Sequence, residues 1–154
     1  MIFPDEDEIR IQKAGNNDLN EIGCLEKVSF EGDAFSKRQF WYLLNKANGV
    51  FVLAKQGSKT LGYLILLSRK NSRQIRIYSI AVATEARGVG IGKKLLDYTE
   101  KEARKTGKSR ITLEVSERNK SAIQLYKKFG YQKKGEKTNY YADGSNAHIM
   151  IKEI

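Results

Sequence analysis

Ile80-Ala81-Val82-Ala83-Thr84-Glu85-Ala86-Arg87-Gly88-Val89-Gly90-Ile91-Gly92-Lys93-Lys94-Leu95-Leu96 joins an apolar run to an amphipathic one through a glycine-rich turn. The run that leads into it, Ile75 to Ala83, is apolar and β-branched, the composition of a buried strand. Beyond the turn, Ile91, Leu95, Leu96, Thr99 and Ala103 recur at helical spacing and predict a helix ending near Gly107. A helix that follows a buried strand aims its unpaired first-turn N–H groups, and about half a unit of positive charge, at the connecting loop. Such a place suits a pyrophosphate. Gly88, Gly90 and Gly92 lack Cβ atoms and let backbone approach phosphate closely, and Lys93 and Lys94 add charge. Glycine also serves strand-to-helix turns that bind nothing, so the loop alone does not identify a ligand. A dinucleotide fingerprint needs Gly-x-Gly-x-x-Gly after the first strand; here the spacing is Gly88-x-Gly90-x-Gly92 in mid-chain. A P-loop needs Gly-Lys-Ser/Thr, but Gly92-Lys93 is followed by Lys94.

Working outward, Arg110 to Val115 reads as a strand reached from Ile75–Ala83 by a parallel, right-handed crossover. Ala122, Ile123, Tyr126 and Phe129 mark a helix that stops at Gly130. Strands are expected at about Gln132 to Tyr140 and Ala147 to Ile154, around the turn Ala142-Asp143-Gly144-Ser145. Upstream, Val50–Ala54 and Leu61–Leu67 form a hairpin about Gln56–Lys59. A short strand near Arg10–Lys13 precedes two helices. The first runs through Leu19, Ile22 and Leu25 to Phe30. The second opens with a capping box, Ser36 with Gln39, and ends at Asn48-Gly49. The order is β-α-α-β-β-β-α-β-α-β-β. The expected class is α/β (α+β), a mixed, mostly antiparallel sheet of about seven strands with helices on both faces.

With 154 residues and no repeat or linker, residues 1–154 are expected to form a single domain. No apolar run is long enough for a membrane span, and the acidic start Asp5-Glu6-Asp7-Glu8 is unlike a secretory signal. Cys24 is the only cysteine, which excludes an internal disulfide and points to a cytoplasmic setting. One cysteine and one histidine argue against a Cys/His catalytic pair or a Cys/His zinc site, and no metal is expected. The net charge of +10 favours anionic partners without naming one. Nothing like an RNP1 motif is present, so no specific nucleic acid is expected.

Arg87-x-x-Gly90-x-Gly92 after a strand resembles motif A of the GNAT acetyltransferase superfamily. Thr112-Leu113-Glu114-Val115-Ser116-Glu117-Arg118-Asn119 with Ser121-Ala122-Ile123-Gln124-Leu125-Tyr126-Lys127-Lys128-Phe129-Gly130-Tyr131 is similar to its motif B. Together with Asn139-Tyr140-Tyr141-Ala142-Asp143-Gly144, these segments resemble the ribosomal-protein alanine N-acetyltransferases and related N-terminal protein acetyltransferases. The resemblance covers roughly Val50 to the C-terminus. It implies a GNAT-like sheet and an acetyl-CoA-dependent N-acetyltransferase. The acetyl acceptor would be a protein or peptide N-terminus, a ribosomal protein among the candidates, and transfer would be direct in a ternary complex. The pyrophosphate would lie on Arg87, Gly88, Val89, Gly90, Ile91 and Gly92. The pantetheine arm would lie along Ile80, Ala81 and Val82, with Asn119 and Tyr126 beside it. Other acceptors stay open: a small amine or a lysine side chain, or no catalysis and a ribosome- or RNA-binding module. The chain departs from the family at Ala86, where a tyrosine or bulky residue is usual, and in Gly32-Asp33-Ala34-Phe35-Ser36, which lacks the Pro-Trp-Ser of the alanine acetyltransferases.

Acetyl transfer to nitrogen needs a neutral amine. An α-amino group has a pKa of about 7.7–8.0 and lysine about 10.4, so lysine costs about 3.4 kcal/mol more to deprotonate. A modest base therefore suffices for an N-terminus. On the strand 110–115, Ile111, Leu113 and Val115 share one face, and Thr112 and Glu114 the other. The resemblance makes Glu114 the general base, directly or through water, and Tyr126 the general acid for the leaving sulfur. Tyr140, Tyr141 and Phe35 would line the acceptor groove. Tyr78 would assist there, and His148 would be a sheet residue.

Overall fold

A computed structural model describes residues 8–29, 36–45 and 49–154. The elements are β1 (Ile9–Lys13), α1 (Leu19–Ser29), α2 (Lys37–Asn45), β2 (Gly49–Gln56), β3 (Lys59–Ser68), β4 (Gln74–Val82), α3 (Ile91–Lys105), β5 (Arg110–Ser116), α4 (Lys120–Lys128), β6 (Gln132–Lys137) and β7 (Ala147–Glu153). Short 3-10 turns at Asn16–Asp18 and Thr84–Ala86 complete them. The seven strands make one sheet in the order β1-β2-β3-β4-β5-β7-β6. Only β4 and β5 run parallel; the other neighbours are antiparallel. The expected class and element order are those observed.

Each face of the sheet buries its own cluster. β3 lies near the centre and is buried from Thr60 to Leu66, as expected of a strand covered on both sides. On one face α3 and α4 pack Ile91, Leu95, Leu96, Ile123 and Tyr126 against Ile75, Ile77, Ile111, Leu113 and Val115. On the other, α1 and α2 pack Leu19, Ile22 and Phe40 against Phe51, Leu53, Tyr63 and Ile65. Phe40 meets Tyr63 edge-on at 5.9 Å, a favourable aromatic geometry. Among the described residues no helix is long and apolar enough to cross a membrane.

Local chemistry accounts for most boundaries. The capping box at α2 is present: Gln39 N–H donates to Ser36 Oγ at 3.2 Å, and Ser36 N–H donates to Gln39 Oε1 at 2.6 Å. Two expectations need correction. The strand expected to reach Tyr140 stops at Lys137, because Asn139 turns left-handed at φ 51° and donates its N–H to Asn146 Oδ1. Tyr140 and Tyr141 therefore sit on the loop of the last hairpin. Gly49 is no helix cap but the first residue of β2. A Cβ there would lie 2.1 Å from the carbonyl oxygen of Leu66.

That contact is backbone against backbone, so it cannot be relieved by a rotamer change. Gly49→Ala is expected to destabilise the protein by about 3 kcal/mol in denaturant titration, since overpacking against a fixed strand is costly. Gly23→Ala, where a Cβ meets nothing within 4 Å, is the control and should not destabilise.

Candidate active site

The parallel ladder between β4 and β5 is short. It runs from Gln74↔Arg110 to Ile77↔Leu113 and stops. β4 continues to Val82 on β3, and β5 continues to Ser116 on β7. The two strands part just where the β3–β4 register slips, Ile65 facing Ser79 and Leu66 facing Ile77. Tyr78 is the extra residue of this bulge. Bulges bend a strand and increase its twist, which separates β4 from β5. Beyond Ile77 and Leu113 the facing strand edges have no ladder, and their polar groups are open to an amide-bearing ligand.

At the end of the open edge of β4 lies the glycine loop. Gly88 and Gly90 have φ of 87° and 88°, and a Cβ on either would meet nothing within 4 Å. They are needed for the turn, and the space above them is free. Gly90 caps α3 without a side-chain hydrogen bond, and the first N–H returned to the loop is that of Lys94, to Gly90 at 3.1 Å. The N–H groups of Ile91, Gly92 and Lys93 are left at a positive helix end. At Gly92 a Cβ would press on Leu125 Cδ2 at 3.2 Å, so this glycine also serves α3–α4 packing. Arg87 and Val89 are exposed, and Ile91 is buried in the core.

Glu114 follows the last ladder residue of β5. Its face is the one opposite Leu113 and Val115, on the side of α1 and α2. The side chain is only 12% exposed and is held by two cations. Arg76 grips it as a fork, Nε to Oε2 at 3.1 Å and a terminal nitrogen to Oε1 at 3.1 Å. Lys137 Nζ donates to Oε1 at 2.8 Å. Each cation also lies over an aromatic ring: Arg76 is 5.3 Å from the centroid of Tyr78, and Lys137 5.1 Å from that of Tyr140. Tyr140 meets Tyr141 edge-on at 4.9 Å. Tyr78, Arg76, Glu114, Lys137 and Tyr140 thus form one chain of contacts across the mouth of the split.

The sequence pointed to Tyr78, Glu114 and Tyr140 but not to Arg76 or Lys137. Strand alternation puts Arg76 on the Glu114 face, and that is the signal that could have found it. Nothing local marks Lys137, which reaches Glu114 only through the register of β6 on β7 and of β7 on β5.

Tyr126 is buried in the core between α4 and the sheet, 5.8 Å from Tyr131. Among the described residues its hydroxyl has no protein partner. Burial pushes its pKa up to about 12, so it stays protonated at neutral pH. Asn119 caps α4, its side-chain oxygen accepting from Ala122 N–H at 3.3 Å. Ile80 and Val82 are half-buried and Ala81 is buried along the open edge. Phe35 lies outside the described residues. His148 sits on β7, 3.9 Å from Glu136 and close to Glu117, away from the Glu114 face. A cavity of about 430 Å³ lies between α1, the start of β3 and Ala83–Glu85, and none of the candidate catalytic groups lines it.

β4 and β5 thus part beside an ion-paired carboxylate, and β4 leads on to a glycine-lined helix N-terminus. The model of the acetyltransferase (GNAT) family matches residues 16–131, and the chain belongs to that family. Its members use acetyl-CoA, and the protein is an N-acetyltransferase. The N-alpha-acetyltransferase of Sulfurisphaera tokodaii is 29% identical over 154 residues, covering 93% of this chain and 92% of that one. The fold superposes on Ard1 from Thermoplasma volcanium with a TM-score of 0.86 at 24% identity, covering 95% and 97% of the two chains. The ribosomal-protein-S18-alanine N-acetyltransferase from Escherichia coli gives 0.84 at 25% identity, covering 96% and 94%.

The buried tyrosines make a stability prediction. Tyr126 and Tyr131 both have raised pKa values, mainly from desolvation. A group raised in the folded state leaves stability intact below its unfolded pKa, about 10 for tyrosine, and removes it as pH climbs towards the folded value. Stability should be flat in their contribution below pH 10. It should then fall at about 1.4 kcal/mol per pH unit for each group. Denaturant titrations of wild type, Tyr126→Phe and the double phenylalanine variant check this; the double variant should lose most of the alkaline slope.

Proposed function

We propose that the protein acetylates the N-terminal α-amino group of a protein, a ribosomal protein among the candidates, by direct transfer from acetyl-CoA in a ternary complex. Residues 1–154 act as one N-acetyltransferase domain, working in the cytoplasm. The observation that carries the reading is the coincidence of the split and the carboxylate. The β4–β5 ladder ends at Ile77↔Leu113, and the next residue on β5 is Glu114. A relative that spans nearly the whole chain is named for the α-amine, and a structural neighbour for the alanine of ribosomal protein S18; both support this acceptor class.

The residues fit the donor. Free N–H groups at Ile91 to Lys93 and the space over Gly88 and Gly90 would take the pyrophosphate, with Arg87, Val89 and Gly92 in the same turn. The open edge of β4 at Ile80, Ala81 and Val82 would pair with the pantetheine amides, and the free side-chain nitrogen of Asn119 would lie alongside. Acetyl-CoA supplies the acetyl group as an activated thioester, and the protein orients it and manages protons.

Glu114 takes up the proton of the acceptor ammonium. A carboxylate offers about four lone-pair positions, and Arg76 and Lys137 fill three. One remains for an ammonium or a water that relays its proton. Tyr126, protonated at neutral pH, gives its proton to the departing sulfur as the general acid and regains one from the attacking amine's second N–H, so CoA leaves as its thiol. Tyr78, Tyr140 and Tyr141 line the acceptor side, and Phe35, outside the described residues, is assigned there by the family resemblance alone.

Two measurements check the proposal. Purified protein with acetyl-CoA should acetylate the α-amine of N-terminal peptides; turnover on polyamines and on no peptide would refute it. Glu114→Gln should lower kcat by roughly 10²–10⁴-fold while acetyl-CoA affinity holds, with part of the rate returning as alkali frees the amine. An unchanged rate across pH removes Glu114 as the base.

A further inference from the structure

The charges around Glu114 do not balance. Arg76 and Lys137 bring two cations to one carboxylate, which leaves one positive charge over. Among the described residues, the other acids of this end of the sheet are engaged elsewhere. Glu136 lies 3.6 Å from Lys133 and 3.9 Å from His148. Asp143 pairs with Arg118 at 3.2 Å, and Glu117 accepts the N–H of Asn146. The layering matters as much as the sum. Glu114 is 12% exposed, whereas Arg76 is 35% and Lys137 42% exposed. An amine coming from solvent therefore meets two cations before it reaches the carboxylate.

Lys137 also stands where an acceptor ammonium would stand, 2.8 Å from Glu114 Oε1. An ammonium that takes the one position left, on Oε2, comes in beside two cations, and one that takes Oε1 displaces Lys137. Either way the cluster gains a further cation in a half-buried place, and like charges there are costly. An acceptor that carries its own carboxylate near the amine relieves this, because the displaced Lys137 finds a new partner on the acceptor itself.

We infer that Lys137, with Arg76 behind it, is a specificity-determining residue that selects acceptors with an acidic side chain in the first two or three positions and disfavours those with lysine or arginine there. The inference rests on the N-terminal acetyltransferase reading and names its substrate class. Lys137 positions and selects; it takes no part in the chemistry. Its ring contact with Tyr140 gives the displaced side chain a place to rest over the acceptor groove.

The test is a set of peptides identical except for aspartate, glutamine or lysine at the second position, assayed for kcat/KM with wild type, Lys137→Gln and Lys137→Glu. The aspartate peptide should exceed the glutamine peptide by about 5- to 20-fold in wild type, the effect of one partly exposed charge pair plus relief of repulsion. The lysine peptide should fall below both. In Lys137→Gln the aspartate-to-glutamine ratio should shrink towards one, and in Lys137→Glu the lysine peptide should overtake the aspartate peptide. Because each readout is a ratio within one variant, a general loss of activity does not distort it. If neither variant folds, the wild-type preference should still weaken as salt is raised, as a charge effect must. Peptides acetylated with no acidic preference, or with a preference that salt leaves unchanged, overturn this inference alone. Failure to acetylate any peptide overturns the N-terminal reading and this inference with it.

Discussion

Everything at the site depends on the β4–β5 pairing ending early. Four residue pairs form the parallel ladder, and then a bulge at Tyr78 bends β4 away. The strands stay attached to β3 and β7 on their outer sides, so the gap opens between two paired strands. Such a gap is a costly thing for a sheet to contain, because it exposes unpaired backbone groups. Two separate cores, one on each face, hold the halves in place while the edges stand open.

The same break accounts for the electrostatics. Arg76 is paired in register with Thr112 inside the ladder, and Glu114 lies just past its end. A fork from one strand thus reaches a carboxylate on the next across the point of separation. Lys137 closes the group from the last hairpin. Removing one member of such a set leaves the others unpaired, so the charges and the opening of the split are expected to act as a unit.

Much of this was legible in the sequence. Hydrophobic periodicity and turn residues place most strands and the four helices; β6 (Gln132–Lys137) has no apolar face and was placed by the turn that follows it. Alternation along Arg110–Val115 puts Glu114 on the face where it is found. What was not legible depends on long-range register. Gly49 read as a helix stop because the close approach of Leu66 comes from the partner strand. The contact of Gly92 with Leu125 was equally hidden, because it comes from another helix. Lys137 was invisible because two strand pairings separate it from Glu114. The end of β6 was misplaced because the left-handed turn at Asn139 goes with a hydrogen bond to Asn146 from across the hairpin.

Amide hydrogen exchange with and without acetyl-CoA tests the central claim most directly, since it reads the backbone of the split itself. Binding should slow exchange along residues 78–82 of β4 and in residues 88–93 at the start of α3, leaving β1 and β2 unchanged. Tight binding with protection confined to other segments, such as the cavity beside α1, would contradict the account.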